Sequence, residues 1–181
     1  TMTFVAGSSW QPDEDLFIEY FNQHPEVKLV IAPHVIDENH LVEIIRKLKR
    51  PYVRYTRADE KNVRKADCLI IDCFGLLSSI YRYGEIAYIG GGFGVGIHNT
   101  LEAAVYGIPV IFGPKYQKFQ EAIQLLEAKG AFSVKDYEEL KTLLDRMLTD
   151  EVFLRESGMN ASNYVTGNAG ATDKIMSMIN F

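Results

Sequence analysis

The stretch that decides the fold is Ile86–Pro114, with the sequence IAYIGGGFGVGIHNTLEAAVYGIPVIFGP. Two short apolar runs, Glu85–Ile89 and Pro109–Phe112, enclose a glycine-dense turn and a predicted helix over Asn99–Tyr106. Apolar runs joined through a helix are typical of parallel strands in a sheet that is covered on both faces. Glycines let the backbone turn sharply and approach a ligand, and a helix N-terminus favours a bound phosphate. We therefore expect a strand–turn–helix–strand unit with a phosphate site in the turn.

The same alternation runs along the chain. From about residue 136 onward the pattern is only helical, and Thr56–Lys65 is expected to be a charged connector. Asp13 is expected to cap the first helix and Gly130 to end a helix over Phe119–Lys129. We predict one domain over residues 1–181, an α/β doubly wound, Rossmann-like parallel sheet of about six strands. The predicted strands are Phe4–Ala6, Val27–Ala32, Tyr52–Tyr55, Cys68–Asp72, Glu85–Ile89 and Pro109–Phe112, with Ala131–Val134 as a candidate edge strand.

Composition excludes several classes of protein. The chain has 181 residues, 47% hydrophobic and 24% charged, which is ordinary for a soluble globular domain. A net charge of -5 without a long basic block argues against nucleic acid as a partner. Cys68 and Cys73 would point to opposite faces of a strand, so we expect no disulfide between them. The first predicted strand starts almost at residue 1, which we interpret as a domain taken from a longer protein.

Parallel sheets bind ligands beyond the carboxyl ends of their strands. Four segments are predicted to lie there: Gly7-Ser8-Ser9, Pro33-His34, Asp72–Gly75 and Gly90–Asn99. The hydroxyls of Ser8 and Ser9 are candidate donors to a phosphoryl or carboxylate oxygen, although a plain turn explains them equally well. Asp72 is expected to brace this edge. The candidate ligand contacts are Ser8, Ser9, Pro33, His34, Gly75, Gly91, Gly92, His98, Asn99 and Glu102.

Glu102 and Asn99 each have two interpretations. As residues three apart at a helix start, they would form a capping box. Alternatively, the Glu102 carboxylate would accept hydrogen bonds from a ribose diol and Asn99 would contact the ligand. His98 is a candidate phosphate or sugar contact or, alternatively, a hydrogen-bonded structural histidine.

Nothing in the sequence indicates acid–base catalysis. The turn lacks the spacing of a dinucleotide-binding loop and the lysine of a P-loop. Ser-His-Asp order, paired carboxylates and metal-ligand spacing are missing, and Asp37, Glu38 and His40 are best explained as a solvated helix start. We expect a nucleotide-holding site without a metal or cofactor.

The segment IGGGFGVGIHNTLEAAVYGIPVIFGP resembles the donor site of the 3-deoxy-D-manno-octulosonic acid (Kdo) transferases. The matching elements are the glycine-rich turn, the H-N-x-L-E block from His98 to Glu102, and G-x-P-V-x-F-G-P from Gly107 to Pro114. Gly7-Ser8-Ser9, Pro33-His34, Asp72 with Gly75, and Phe119 with Glu121 extend the match over nearly the whole chain.

The resemblance implies the C-terminal, CMP-Kdo-binding half of a GT-B glycosyltransferase of lipopolysaccharide biosynthesis. The N-terminal half, absent from this chain, would supply the acceptor surface for the lipid A precursor and the general base, so this chain alone is expected to bind donor without transferring sugar. The implied reaction is an inverting transfer with CMP as the leaving group. The full enzyme would be peripheral on the cytoplasmic face of the inner membrane, with this domain soluble and cytoplasmic.

Two departures from the family pattern affect the donor site. An arginine common between the proline and histidine after the second strand is missing at Pro33-His34. Lys115, or a residue of the absent half, would have to provide that positive charge. Leu76 stands where an acidic residue is common.

Two other functions are kept as alternatives. One is the donor domain of another GT-B enzyme, or an epimerase, that uses a UDP-sugar. The other is a non-catalytic nucleotide-binding or interaction module, since a fold does not fix a function.

Overall fold

The computed structural model describes residues 1–94, 96, 97 and 99–179, except for the side chains of residues 169 and 171–173. Seven strands and eight α-helices make up this part of the chain. The strands are β1 Met2–Ser9, β2 Val27–Pro33, β3 Tyr52–Arg54, β4 Cys68–Ile70, β5 Ile86–Ile89, β6 Val110–Phe112 and β7 Ala131–Ser133. The helices are α1 Gln11–Gln23, α2 Glu38–Lys47, α3 Glu60–Lys65, α4 Leu77–Ile80, α5 Leu101–Ala104, α6 Gln120–Glu127, α7 Tyr137–Thr149 and α8 Glu151–Ile179.

The strands form one sheet in the order β3-β4-β2-β1-β5-β6-β7, and every pair is parallel. The sheet has one strand more than the six that the sequence predicts most firmly, because the candidate edge strand forms and pairs Ala131 with Val110. The chain leaves β1 in one direction for β2 and returns to its other side for β5. The topological switch point therefore lies between the ends of β1 and β5.

Two separate cores cover the two faces of the sheet, which confirms the doubly wound arrangement. Phe4 and Tyr88 point into one core, with Phe17 of α1 and Leu140 of α7. The alternate residues of the same strands point into the other, which α5, α6 and α8 complete through residues that include Ala103, Leu125 and Ala161. Successive strand side chains face opposite sides, so a continuous apolar run supplies both cores.

The charged segment Thr56–Lys65, expected to be a connector, contains the short helix α3. Asp59 accepts hydrogen bonds from the N–H groups of Lys61 and Asn62, and the Asn62 side chain accepts one from the Asp59 N–H. This reciprocal cap stabilises a helix that has no buried residue.

Two predicted helix caps are wrong. Trp10 is the N-cap of α1, and Asp13 lies three residues later, with its carboxylate accepting from the Trp10 N–H. At the end of α6 the left-handed residue is Lys129, at φ +61°, and not Gly130. Gly130 is instead needed for packing, since a Cβ atom there would lie 2.5 Å from the backbone N of Ala161 in α8.

No helix in the described part of the chain combines the length and hydropathy needed to cross a bilayer. The second half of α8 is exposed from residue 166 to residue 179 wherever its side chains are described.

Candidate functional site

The carboxyl ends of β1, β5 and β6 are packed backbone to backbone at the switch point. A Cβ atom on Gly90 would lie 2.2 Å from the carbonyl oxygen of Ser8, and one on Gly92 would lie 2.5 Å from the backbone N of Gly113. Side-chain carbon atoms do not approach backbone this closely, so glycine is required here by space. The glycine turn, Gly90–Gly96, thus fixes three strand ends against one another.

Several N–H groups of the glycine turn are already hydrogen-bonded within the protein. Gly90 donates to the carbonyl of Gly7 at 2.9 Å, and Gly94 and Gly96 both donate to that of Gly91, at 3.2 and 2.8 Å. Gly91 adopts φ +98° and donates to the Asp13 carboxylate at 3.1 Å. The sequence predicts a turn that offers its amides to a phosphate, but these four amides hold the turn itself together.

Asp13 holds the glycine turn in place through hydrogen bonds. Its carboxylate is 1% exposed and accepts hydrogen bonds from the Tyr88 hydroxyl at 2.6 Å, the Trp10 N–H at 2.9 Å and the Gly91 N–H. Burial raises the pKa of Asp13, and the three hydrogen bonds oppose that rise. Sequence reasoning missed this role, because a carboxylate in the first turn of a helix is usually solvated.

Ser9 is directed into the protein and away from any ligand surface. It is fully buried, and its hydroxyl donates to Glu14 Oε2 at 2.8 Å. Nε2 of His40 lies 3.0 Å from the same oxygen. The predicted direct contact of the Ser9 hydroxyl with a ligand therefore needs correction, since this hydroxyl ties β1 to α1.

Ser8 occupies a strained position beside the glycine turn. Its φ is +54°, in the left-handed region that L-residues rarely adopt, and the β1–β2 register shifts next to it. Its side chain is largely buried, yet the structure shows no hydrogen bond from its hydroxyl within the described residues. The predicted contact of this hydroxyl with a ligand stays a prediction.

Pro33 and His34 lie at the end of β2, next to Ser9. Pro33 is buried, whereas His34 is exposed. The N–H of His34 donates to the carbonyl of Ser9 at 3.0 Å, and its ring stacks on Trp10 at a centroid distance of 4.4 Å. These contacts bring the ends of β2 and β1 together.

The helix after the glycine turn is shorter than predicted. It spans only Leu101–Ala104 instead of Asn99–Tyr106, with Thr100 as its N-cap. The Asn99 side chain accepts from the Leu101 N–H at 3.0 Å. His98 lies outside the described residues, so its predicted contact stays a prediction.

The capping-box interpretation of Glu102 is wrong. The start of α5 has no capping box, and within the described residues the carboxylate of Glu102 accepts no hydrogen bond. Burial is the main cause of the raised pKa of Tyr81, and the negative charge of Glu102 adds to it. The Tyr81 hydroxyl occupies the space that a Cβ atom on Gly7 would need. The predicted ligand contact of Glu102 stays a prediction.

Asp72 braces the outer part of the edge, as predicted. It accepts from Nε of Arg54 at 2.9 Å and from the N–H and hydroxyl of Thr56 at 2.9 and 2.6 Å. Burial alone would raise the pKa of Asp72, but the hydrogen bonds from Thr56 and Arg54 outweigh it and lower this pKa. Gly75 follows at φ +91° and is exposed. Two residues further on, the Leu77 side chain packs beside Gly7 of β1, and the ligand contact predicted for Gly75 stays a prediction.

Two pockets open beside the glycine turn. One, of about 240 Å³, is here called the lysine pocket and is lined by Gly94, Gly96, Lys115, Gln117, Lys118 and Phe119. The other, of about 410 Å³, is here called the Asn99 pocket and is lined by Ile97, Asn99, Thr100, Leu101, Phe119 and Glu121. Both share Phe119, whose ring packs on Gly96, where a Cβ would be 3.0 Å away. Lys118 and Gln117 are pocket residues that no sequence motif marks.

No group of three or more His, Cys, Asp or Glu side chains could hold a metal ion within the residues that the structure describes.

Comparison with known proteins gives several relatives, although no family model matches the chain. The chain is 34% identical over 151 residues to the 3-deoxy-D-manno-octulosonic acid transferase of Aquifex aeolicus, covering 80% of the chain and 41% of the relative. It is 28% identical over 153 residues to the Chlamydia muridarum transferase of the same name, covering 81% and 35%. The chain thus spans about two fifths or less of these relatives.

Solved structures share the fold. The C-terminal CMP-Kdo binding domain of WaaA from Acinetobacter baumannii matches with a TM-score of 0.76 at 19% identity, covering 91% of this chain and 89% of that domain. HepE of Anabaena in complex with UDP-glucose matches with a TM-score of 0.63 at 13% identity, covering 98% of this chain and 49% of HepE. The fold is therefore that of a GT-B glycosyltransferase C-terminal domain.

Proposed function

The chain is homologous to the Kdo transferases over the length of a C-terminal GT-B domain, and from this premise we propose that it is the donor-binding domain of a glycosyltransferase that moves Kdo from CMP-Kdo to the lipid A precursor. The observation that carries the proposal is the 34% identity over 151 residues with the Aquifex aeolicus transferase. The WaaA domain with the same fold is a CMP-Kdo binding domain by its description.

The geometry of the site agrees with a nucleotide donor. The Glu102 carboxylate has no hydrogen bond within the described residues, and it belongs to α5, the helix after the glycine turn that follows β5. An ionised carboxylate accepts two hydrogen bonds from neighbouring hydroxyls, which matches a ribose diol. In the proposed site Glu102 holds the ribose, while Ser8 and Asn99 lie near the phosphate or the sugar, as His98 would.

The chemical contribution of this domain would be positioning. A sugar nucleotide already carries its leaving group, so catalysis depends on orienting donor and acceptor and on stabilising negative charge on the departing phosphate. We propose that the acceptor surface and the general base come from a second domain, since the chain matches only 41% of the Aquifex relative. The chain alone would then bind donor without transferring sugar, and the whole enzyme would work at the cytoplasmic face of the inner membrane.

Calorimetry on the purified chain with CMP, UMP and UDP tests the proposal. We expect measurable binding of CMP and weaker binding of the uridine nucleotides. A preference for UDP would favour a UDP-sugar enzyme, of which HepE offers an example with the same fold. Failure to bind all three nucleotides would favour an interaction module.

A further inference from the structure

Two lysines face the lysine pocket without an internal partner. Lys115 and Lys118 both line it, both are exposed, and neither forms an ion pair with a carboxylate in the described part of the chain. The other lining residues are two glycines, Gln117 and Phe119. No carboxylate lines this pocket, so its charge is positive in a chain whose net charge is -5.

An arginine at the same edge of the sheet is already neutralised. Arg54, the last residue of β3, donates to both Asp72 and Glu38. These two carboxylates balance the charge of its guanidinium and would repel a further anion, which weakens binding. The two lysines have no such competitor.

The loop that carries the lysines is fixed to the glycine turn. The N–H of Lys115 donates to the Gly92 carbonyl at 2.8 Å, and the Gln117 side chain donates to the Pro114 carbonyl at 2.8 Å. The Phe119 ring packs on Gly96. Because these bonds use backbone and neutral groups, the two ammonium groups are held next to the turn and remain available.

Four of the six described N–H groups of the glycine turn are unavailable to an anion at this edge. The N–H groups of Gly90, Gly91, Gly94 and Gly96 are hydrogen-bonded internally, and α5 is only four residues long. A helix of that length has little dipole, since the dipole comes from aligned peptide units. Lys115 and Lys118 line a pocket together with Gly94 and Gly96 of the turn.

We propose that Lys115 and Lys118 bind the anionic part of the donor, so that the lysine pocket is the anion subsite of this domain. The inference rests on the proposed function. The donor carries two anions, the phosphate of CMP and the carboxylate of Kdo, and the same lysine chemistry would bind either. The adjoining Asn99 pocket, across the Phe119 ring, is then left for an uncharged part of the donor.

The test compares cytidine, CMP and CMP-Kdo as ligands of the purified chain by calorimetry. In the Lys115→Gln/Lys118→Gln double variant we expect about tenfold weaker binding of the anionic ligands, with a smaller dependence on salt, because two exposed ion pairs are lost. The Lys115→Arg/Lys118→Arg variant should keep most of the affinity. Lys61→Gln/Lys65→Gln, in two exposed lysines of α3, is the matched control with the same change in net charge.

The outcomes separate the possible anions and the two proposals. A loss for CMP but not for cytidine assigns the lysines to the phosphate, and a loss for CMP-Kdo alone assigns them to the carboxylate. Unchanged affinity for all three ligands, or an equal loss in the α3 control, overturns the subsite. If the unsubstituted chain binds none of the three ligands, the proposed function itself fails, and this is seen before any variant is made.

Discussion

The carboxylate of Asp13 accepts a hydrogen bond from the backbone N–H of Gly91 at 3.1 Å, across 78 positions of sequence. A buried acid at the start of α1 thereby holds the turn that follows β5. The same carboxylate binds the Tyr88 hydroxyl and the Trp10 N–H. Three elements therefore depend on one side chain, and this dependence can be measured.

Asp13→Ala should lower the free energy of unfolding by about 3 kcal/mol, because three buried donors lose their acceptor at once. Urea unfolding followed by circular dichroism measures the loss. Tyr88→Phe, which removes only one of the donors, is the control and should cost about 1 kcal/mol. Equal effects of the two substitutions would contradict the anchoring role.

The raised pKa of Asp13 predicts an unusual pH dependence. A carboxyl whose pKa is higher in the folded than in the unfolded chain binds more protons when folded, so its stabilisation is fully present below the unfolded value and is lost as pH rises through the folded value. The stability of the unsubstituted chain relative to Asp13→Asn should therefore fall as pH rises above about 4, the ordinary value for an aspartate. Thermal unfolding of both proteins across this range checks the sign, and a relative stability that rises with pH would refute it.

Ser8 should be under backbone strain at φ +54°. Ser8→Gly and Ser8→Ala both remove the hydroxyl, but only glycine adopts this conformation without steric cost. We expect Ser8→Gly to be more stable than Ser8→Ala by about 1 kcal/mol, and both to bind CMP more weakly than the unsubstituted chain. Denaturant midpoints and calorimetry give the two values. Equal stability of the variants would mean that the turn relaxes around alanine.

Glu102→Gln should reduce CMP affinity about tenfold without changing the unfolding temperature, because the carboxylate has no hydrogen bond within the described residues to lose on substitution. Calorimetry measures the CMP affinity, and thermal unfolding measures the stability of the same variant. Glu127→Gln, at an exposed position of α6, is the control. A drop in stability with unchanged CMP affinity would indicate that Glu102 has a structural role and does not bind the ligand.

Packing of α8 against the sheet gives a further prediction. Gly130→Ala should lower the free energy of unfolding by about 2 kcal/mol, because the new Cβ would meet the backbone of Ala161 at 2.5 Å. Backbone atoms, unlike the end of a flexible side chain, cannot rotate away from such a contact. Gly167→Ala, within α8 itself, would place its new Cβ where no other atom lies within 4 Å, and it should instead stabilise the chain by about 0.5–1 kcal/mol. Chemical denaturation measures both changes, and destabilisation by Gly167→Ala would show a contact at that position.

The sheet could be predicted from sequence because its signal is local. Apolar runs such as the one ending at Ile89 are continuous, and each supplies both cores. Helix α3 was missed because no periodic apolar residue marks it, and its only signal is the spacing of Asp59 and Asn62. Local patterns detect burial more readily than they detect a capped, solvated helix.

The site was less predictable, because its key contacts span the sequence. Nothing near Asp13 in the chain indicates that it reaches Tyr88, 75 positions away. Ser9 looked like a ligand donor because Glu14, which takes its hydrogen bond, would ordinarily be solvated. Lys118 is recognised as a candidate ligand contact only from the fold, which places it in a pocket beside the glycine turn.

A glycine turn with four of its amides bonded to the protein itself has most of its hydrogen bonds in place before any ligand arrives. Binding then requires little rearrangement of the backbone, and the entropy lost on association is confined to a few side chains, the lysines foremost. Such preorganisation leaves the scaffold unchanged when the ligand changes. Selectivity between donors can therefore be altered through the Lys115–Phe119 loop, while the turn and the three strand ends that it joins remain as they are.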